Sequence, residues 1–248
     1  MGAELLRVAK LAKSFGAYQV LQDVRFDVNE GEIVGLLGPN GSGKSTALNI
    51  ISGFMSGDGG QVLFQGNDIT QARVQEITRS GLIRTFQLPS MPHRMTVREV
   101  VRAGQSQASN MLAPIRFGAE VDSALKTFEL THVGDLPASS LSGGQKKLLS
   151  VATALQSNPK LLCLDEPTAG VHVSLRRRLV DILRGYVSRG GACLVVEHDM
   201  VFIRELCTRC VVLDRGEIIA DCKPDELESI PRVVEAYLGK AVERKAAQ

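Results

Sequence analysis

Short apolar runs alternate along most of the chain with stretches of helical apolar spacing. Residues 32–37 form an apolar run that ends at a glycine-rich loop, and residues 47–53 follow with helical spacing and a glycine stop. Residues 161–164 and 192–196 are typical of fully buried strands. Because helical sequence precedes each of these runs, the pattern predicts an α/β fold with a parallel sheet.

Three other regions show different patterns. Residues 5–28 alternate apolar and polar positions, which favours antiparallel strands, and residues 211–220 predict a hairpin around a turn. Residues 88–158 have no strong strand run, and Pro92, Pro114 and Pro137 divide them into short helical stretches. We therefore expect one domain over residues 1–248. Its core and β subdomain would comprise residues 1–87 and 159–248, and residues 88–158 would be a helical insert.

Composition narrows the class of protein. Hydrophobic residues make up 44% of the 248 positions, enough for a substantial core. The 29 basic and 27 acidic residues nearly cancel, so charge gives no argument for nucleic acid as a partner. No apolar run approaches the roughly 20 residues of a membrane span, and the first residues do not resemble a signal peptide. The odd count of five cysteines favours reduced thiols in a cytosolic protein.

Two minor patterns receive structural interpretations. Cys207 and Cys210 form a C-x-x-C, which we expect on one face of a helix end because a metal site would need a second pair of ligands. The basic runs at residues 146–147 and 176–178 are expected on solvated helix faces. The alternative for the second run is a role in nucleic-acid binding.

The strongest motif is a glycine-rich loop between a predicted strand and a predicted helix. The pattern G-x-x-x-x-G-K-[ST] fits Gly38, Gly43, Lys44 and Ser45. Glycines let backbone N–H groups turn toward one centre, and the following helix adds its positive end. Lys44 can reach the β- and γ-phosphates, and the Ser45 hydroxyl can bind Mg²⁺. The predicted ATP-binding residues of this loop are Gly38, Pro39, Asn40, Gly41, Ser42, Gly43, Lys44, Ser45 and Thr46.

Two carboxylates follow the strand predicted at residues 161–164. Open α/β sheets place their ligands at the carboxyl ends of strands. Asp165 is predicted to hold Mg²⁺, through water, and Glu166 is the candidate general base or polariser of the attacking water. The alternative is an ordinary strand end with two solvated acids, and the neighbouring phosphate loop disfavours it.

Two further side chains are candidates for the same site. His198 follows the strand predicted at residues 192–196, where it either has a structural role or donates a hydrogen bond to the γ-phosphate. Gln87 is placed to contact both Mg²⁺ and the water, although the local pattern alone does not decide this role.

A second anion site is predicted at the start of a helix. Ser142 is a good N-cap residue, and Gly143 and Gly144 expose backbone N–H groups before the run that begins at Lys146. In isolation, a plain capped helix explains this pattern. Because the first loop already holds one nucleotide's phosphates, the simplest use of a second site is the γ-phosphate of ATP on another subunit. ATP would then hold a closed dimer together, and hydrolysis would release it.

Together these motifs resemble the nucleotide-binding subunit of an ATP-binding-cassette (ABC) transporter over residues 5–238. The resemblance identifies Walker A at residues 38–46, the Q-loop at Gln87, the signature at residues 141–145, Walker B at residues 161–165 with catalytic Glu166, and the H-loop at His198. It implies a P-loop NTPase (RecA-like) core with an antiparallel β subdomain and an α-helical subdomain, together with ATP and Mg²⁺. It also implies that Phe15 stacks on adenine and that Val20 packs beside the ring. Ser142, Gly143, Gly144 and Gln145 would bind nucleotide.

A finer resemblance, to importer ATPases for branched-chain amino acids and urea, rests on residues 83–87, 96–100 and 196–200. It implies a second ATPase subunit in a homodimer or heterodimer, membrane permease subunits and, indirectly, an extracytoplasmic substrate-binding protein. The chain would lie on the cytoplasmic face of the membrane. Alternatives are another cargo, such as lipid export, and a soluble ABC ATPase acting on ribosomes or DNA. Many family members have an aspartate where this chain has His172.

The segment of residues 88–95 combines apolar side chains with two prolines. An isolated cytosolic domain has little reason for such an apolar patch, although small apolar patches are common on protein surfaces. By resemblance, this segment borders the groove that receives a short coupling helix from the membrane subunit. We expect Gln87 to link nucleotide state to that groove, with Met91 and Met95 exposed within it.

Overall fold

The computed structural model describes residues 2–87, 89–105 and 117–237. Leu88 and Pro114 of the predicted helical insert, and Leu238 at the end of the region of resemblance, lie outside the described residues. Within the described ranges, no helix is long and apolar enough to cross a membrane.

The larger sheet has six strands in the order β10-β9-β3-β8-β7-β6. Its strands are β3 (Ile33–Leu37), β6 (Leu82–Arg84), β7 (Leu161–Asp165), β8 (Ala192–Val196), β9 (Arg209–Asp214) and β10 (Glu217–Cys222). Neighbours from β9 to β6 pair in parallel, and β10 pairs antiparallel with β9. The predicted parallel sheet and the predicted hairpin at residues 211–220 are therefore confirmed.

The smaller sheet is antiparallel, with the strand order β2-β1-β4-β5. Its strands are β1 (Glu4–Phe15), β2 (Tyr18–Asn29), β4 (Gly59–Phe64) and β5 (Asn67–Asp68). Phe15 pairs with Tyr18 where the β1–β2 hairpin turns. This sheet confirms the antiparallel strands expected from the alternation over residues 5–28.

The α-helices are α1 (Lys44–Ile51), α2 (Val74–Ser80), α3 (Val97–Gln105), α4 (Phe117–Thr127), α5 (Gly143–Gln156), α6 (Val173–Val187) and α7 (Met200–Leu206), and residues 231–237 are also helical. Helices α3, α4 and α5 lie in sequence between β6 and β7. They pack on one another, with α3 between the other two. The chain thus leaves the large sheet at β6, forms a helical layer, and re-enters the sheet at the adjacent strand β7.

Two hydrophobic clusters cover opposite faces of the large sheet. Strand β7 sends Leu162 and Leu164 into the cluster shared with α3 to α7, and it sends Leu161 and Cys163 into the cluster shared with α1 and the small sheet. Since side chains alternate between the two faces of a strand, a strand covered on both faces is apolar throughout. This is why the central strands appear in the sequence as unbroken apolar runs.

The prediction for the C-x-x-C pair was wrong. Helix α7 ends at Leu206, so Cys207 caps it and Cys210 lies within β9. Both side chains are buried. A Cβ built on Gly35 of β3 would lie 3.1 Å from the Cys207 sulfur and 3.5 Å from the Cys210 sulfur. The two thiols therefore fill space against a central strand, and the helix stops early because β9 must pair with β3.

Candidate nucleotide-binding and hydrolysis site

The glycine-rich loop connects β3 to α1 at the carboxyl edge of the large sheet. Gly38 and Gly43 have φ angles of +144° and +110°, which L side chains rarely adopt. A Cβ on Gly38 would lie 2.0 Å from the Leu213 carbonyl oxygen, and one on Gly43 would lie 2.9 Å from the Val20 carbonyl oxygen. Glycine is thus required at both positions by backbone conformation and by close packing.

Lys44 holds its ammonium group across this loop. Its Nζ donates hydrogen bonds of 2.8 Å to the Gly38 carbonyl and 3.0 Å to the Pro39 carbonyl. Ser42 is buried, whereas Asn40, Gly41 and Ser45 are exposed. The loop therefore presents a lysine, a serine hydroxyl and the first turn of α1 on one side, the arrangement that a phosphate cradle needs.

The loop has one anchor that the sequence did not indicate. The Gly38 N–H donates a 2.9 Å hydrogen bond to the hydroxyl of Tyr237, at the end of the described chain. Burial raises the pKa of this hydroxyl. No local pattern marks Tyr237, because its contact joins opposite ends of the sequence.

The hairpin β1–β2 lies beside the loop and carries the candidate base-binding residues. Phe15 is half-exposed, with 50% of its surface accessible, at the end of β1. The Lys13 ammonium lies 5.6 Å from the centre of its ring. Val20 is half-buried, and its carbonyl is the group that approaches Gly43. An accessible aromatic face next to a phosphate loop suits a nucleotide base.

Asp165 ends β7 and has a partner that the sequence analysis missed. Its Oδ2 accepts a 3.0 Å hydrogen bond from the Arg84 guanidinium, and both side chains are mostly buried. Arg84 ends the adjacent strand β6. The sequence hint was its position three residues before Gln87, but the pairing depends on two strands that are far apart in the chain.

Glu166, Gln87 and His198 converge at the edge of the sheet. The Gln87 side-chain amide donates to one Glu166 carboxylate oxygen, and His198 Nδ1 lies 3.7 Å from the other. Glu166 has a φ of +46°, a strained conformation for a residue with a side chain. Its N–H donates to the Val196 carbonyl at 2.9 Å, so the end of β8 holds it in place. Three candidates from distant parts of the sequence thus surround one carboxylate.

A buried acid, Glu197, connects the two chain segments that meet at this edge of the sheet. Glu197 is 1% exposed and accepts hydrogen bonds from the Thr168 N–H at 2.9 Å and from the His198 N–H at 3.0 Å. It therefore ties the segment after Glu166 to the segment that carries His198. Glu197 lies within residues 196–200, but a lone acid after a strand gives no sign in the sequence that it is buried.

The second predicted anion site lies at the start of α5. Ser142 caps the helix: its hydroxyl accepts the Gln145 N–H at 3.3 Å, and the Gln145 side chain accepts the Ser142 N–H at 3.0 Å. A Cβ on Gly143 would meet open space, whereas one on Gly144 would lie 2.6 Å from the Gly170 carbonyl. The helix start is accessible and packs on the loop after β7. In that loop, exposed His172 caps α6.

The expectation of solvated basic runs was wrong for Lys147, whereas the side chains of Arg176 and Arg178 remain 34% and 41% exposed. Lys147 is 6% exposed and donates to the Glu166 carbonyl at 2.6 Å. Arg176 pairs with Asp199, and Arg178 donates to the Thr127 carbonyl. These side chains join the helical layer and the loops around the site to the core. Clusters of basic residues in sequence gave no sign of these separate partners.

The segment after Gln87 borders a groove of about 390 Å³. Phe86, Met91, Gly104 and Thr153 are among the residues that line it. Met91 and Met95 are not freely exposed as expected, because both are half-buried and pack against the core cluster. Only Met91 of the two lines the groove.

Comparisons with known proteins agree with this geometry. The pattern that defines the ABC transporter family matches residues 21–169. A probable branched-chain amino acid transport ATP-binding protein, LivG of Methanocaldococcus jannaschii, is 35% identical over 252 residues, covering 96% of this chain and 98% of the relative. The lipopolysaccharide export system ATP-binding protein LptB of Haemophilus influenzae is 33% identical, covering 95% of this chain and 98% of the relative.

A solved structure shows the same fold. The ADP conformation of an ATP-binding cassette of an ABC transporter superposes with a TM-score of 0.81 at 33% identity, covering 95% of this chain and 99% of that one. The P-loop core with its antiparallel and helical subdomains, expected from the resemblance, is therefore confirmed as the fold class. The chain belongs to the ABC transporter family and is one of its ATP-binding, ATP-hydrolysing subunits.

Proposed function

We propose that this ATPase drives an importer for branched-chain amino acids, urea or a related small polar solute. It would work as a dimer of ATPase subunits beneath membrane permease subunits, which receive cargo from an extracytoplasmic binding protein. The observation that carries the hydrolytic part is the convergence of Gln87 and His198 on the Glu166 carboxylate. The ATPase subunit would function on the cytoplasmic face of the membrane.

The donor set at the sheet edge fits Mg²⁺. Ser45 supplies a hydroxyl, Asp165 a carboxylate, and Gln87 an amide oxygen, and oxygen donors of this kind are those that Mg²⁺ prefers. When bound, the ion would neutralise charge on the β- and γ-phosphates. Ser45 is exposed at the start of α1, and Asp165 has its Oδ1 free of the Arg84 hydrogen bond, which uses Oδ2.

Glu166 is the group best placed to accept a proton from the attacking water. Its carboxylate is half-buried, Gln87 donates a hydrogen bond to one of its oxygens, and His198 lies near the other. His198 is largely exposed, so its ring can donate to the γ-phosphate. Lys44 would bind the β- and γ-phosphates as a positive charge in the loop. In this assignment, positioning and electrostatic stabilisation supply most of the catalysis.

The accessible N-terminus of α5 supports the proposal that two ATPase subunits act together as a dimer. Ser142, Gly143, Gly144 and Gln145 would bind the γ-phosphate of ATP held by the loop of the second subunit. Open space beside Gly143 leaves room for that approach. Bound ATP would then stabilise the closed dimer by mass action, and hydrolysis would remove that stabilisation.

The groove beside Phe86 and Met91 is the proposed docking site for a permease segment. It lies between the Gln87 segment and helices α3 and α5, so a permease seated there would contact the residues that flank Gln87. A change in the position of Gln87 on ATP binding would move the neighbouring residues that line the groove. This contact would couple hydrolysis to transport.

A second candidate function is lipid export. The relative LptB, whose name assigns it to lipopolysaccharide export, matches nearly as well as LivG. Cargo contacts lie on other subunits, so the ATPase site is compatible with both systems. A soluble ABC ATPase without a permease is the third alternative.

The hydrolytic assignment is tested by Glu166→Gln. We expect this variant to bind ATP normally, to lose turnover by roughly 10²- to 10⁴-fold, and to accumulate an ATP-bound dimer on size-exclusion chromatography. The matched control is Glu129→Gln, because Glu129 also has a positive φ but lies in the helical layer. Normal turnover in Glu166→Gln would disprove the role of this carboxylate. Lys44→Ala should weaken ATP binding itself, and unchanged affinity would contradict the cradle.

The cargo is tested with the permease subunits. Co-purification from the native membrane would identify them, and reconstituted vesicles would be assayed for uptake of leucine and of urea. ATP-dependent uptake of either solute supports the importer. Extraction of lipopolysaccharide without uptake of either solute would favour the export system, and absence of any permease would favour a soluble ATPase.

A further inference from the structure

A buried arginine, Arg84, links three parts of the site. Its side chain is 5% exposed. One terminal nitrogen donates to the Asn49 side chain at 2.7 Å and to the Ser52 hydroxyl at 3.0 Å. Asn49 lies in α1, the helix that follows the phosphate loop, and Ser52 caps the C-terminal end of that helix. The other terminal nitrogen donates to Asp165 at 3.0 Å. A single planar group thus fixes the distance between α1 and the carboxylate at the end of β7.

The same guanidinium is packed against two aromatic rings. It lies 5.0 Å from the centre of the Phe86 ring and 5.8 Å from that of Phe54. The two rings form an edge-to-face pair, with centres 5.1 Å apart and planes at 87°. Such contacts hold a cation in a fixed orientation. Phe86 directly precedes Gln87, so the orientation of Arg84 is tied to the start of the Q-loop.

Arg84 is not fully satisfied by this arrangement. Its Nε is buried and has no hydrogen-bond partner among the described residues. A buried donor without a partner is unfavourable, because it has lost its hydrogen bonds to water. The hydrogen bonds described for the side chain are thus made by its two terminal nitrogens, which bridge α1 and Asp165.

We propose that Arg84 is a positioning residue that holds the Asp165 carboxylate for Mg²⁺ and ties its orientation to the Phe86–Gln87 segment. The inference rests on the Mg²⁺ site of the proposed function. Arg84 binds Oδ2 and leaves Oδ1 for the ion or its water. Partners that orient a metal-binding carboxylate typically change metal affinity by about 10- to 100-fold when they are removed.

Arg84→Lys is the informative variant. It keeps the positive charge, so Asp165 is not left as an unpaired buried anion, a change that is strongly destabilising. A lysine has a single ammonium in place of the planar fork. It cannot reach Asn49 and Asp165 in the same geometry. The variant therefore separates orientation from charge.

The test measures the equilibrium affinity of a non-hydrolysable ATP analogue in EDTA and in saturating Mg²⁺. For the natural protein we expect Mg²⁺ to tighten binding. In Arg84→Lys we expect the affinity in EDTA to stay within about twofold and the Mg²⁺-dependent gain to fall by about tenfold. Asn49→Ala should reduce the gain less, and its effect should not add to that of Arg84→Lys, because both act through one guanidinium.

The matched control is Arg209→Lys. Arg209 also binds several carboxylates, among them Glu32 at 2.7 Å. It lies at the amino end of β9, whereas the site lies at the carboxyl ends of the parallel strands. Its substitution should leave both affinities unchanged. An unchanged Mg²⁺-dependent gain in Arg84→Lys, or an equal loss in EDTA and in Mg²⁺, would overturn the role of Arg84. If Mg²⁺ fails to tighten binding in the natural protein, the proposed Mg²⁺ site fails as well.

Discussion

The ammonium of Lys147 donates a 2.6 Å hydrogen bond to the main-chain carbonyl of Glu166. Lys147 belongs to α5, the helix that begins at the signature, and burial lowers its pKa, against the opposing effect of Glu166 and two other acids. The Glu166 N–H is held from the other side by Val196. The strained backbone of the candidate general base is therefore fixed jointly by the core sheet and by the helical layer.

Removing this hydrogen bond should impair turnover more than binding. A hydrogen bond to a charged group contributes about 1.5–3 kcal/mol, which corresponds to roughly a 10- to 100-fold loss in kcat if it holds Glu166 in its reactive position. We therefore expect Lys147→Met to lose kcat on that scale and to keep its ATP affinity. Lys146→Met, at the neighbouring half-buried position, is the control. A parallel loss of ATP affinity would indicate general unfolding instead.

The hydroxyl of Tyr237 should contribute to nucleotide affinity. Tyr237→Phe removes the acceptor for the Gly38 N–H, a bond worth about 1 kcal/mol, so ATP affinity should fall by roughly fivefold. Equilibrium binding of a fluorescent ATP analogue measures this change. Tyr186→Phe is the control, since its buried hydroxyl donates to Pro159 at 2.9 Å in the core. The control should lower the melting temperature and leave ATP affinity unchanged. Equal affinities in the two variants would exclude an effect of Tyr237 on the loop.

A charge in the proposed docking groove should uncouple transport. Met91→Glu places a carboxylate in the groove beside Phe86, which should weaken permease binding while basal hydrolysis of the isolated subunit persists. Pull-down by the permease and ATPase assays measure the two effects separately. Met91→Leu should preserve both. Equal loss of docking and basal hydrolysis in Met91→Glu would reject the groove as the docking surface.

The cysteines should resist alkylation in the native state. Burial raises the pKa of the Cys163 and Cys210 thiols to about 12, and Cys222, which is half-buried, also has a raised pKa. Since the thiolate is the reactive form, labelling at pH 8 should be slow and should begin at Cys222. Reactivity should increase as the pH rises. Mass spectrometry after maleimide treatment locates the label, with denatured protein as the control. Rapid native labelling at Cys163 would contradict the packing described for β7.

Local patterns predicted the parts of the site that depend on local geometry. The loop that contains Gly38 and Gly43 needs glycines at fixed spacing for its own backbone, so the sequence displays them. Asp165 and His198 each follow an apolar run that only a central strand would have. The carboxyl ends of parallel strands meet at one edge, which explains why these residues could be placed together before the structure was known.

The residues that escaped prediction act through long-range contacts. Arg84, Lys147 and Tyr237 each find their partners across the fold. Lys147 lies beside another lysine, and that pattern usually indicates a solvated helix face. The same limitation explains the error at Cys210, since the end of α7 is set by the pairing of β9 with β3 and no sequence signal marks it.

The insertion of the helical layer between adjacent strands has a consequence for the order of folding. Leu82 of β6 pairs in register with Leu161 of β7, although about 80 residues separate them, and closing a loop of that length carries an entropic cost before any contact repays it. Helices α3 to α5 pack on one another within the inserted segment, so their contacts span fewer residues than the β6–β7 pairing does, and shorter loops cost less entropy to close. If the helices assemble first, they shorten the effective loop between the two strands. The late step would then be the closure of β6 on β7, the same step that brings Arg84 to Asp165, so a competent active site would form only when folding is nearly complete.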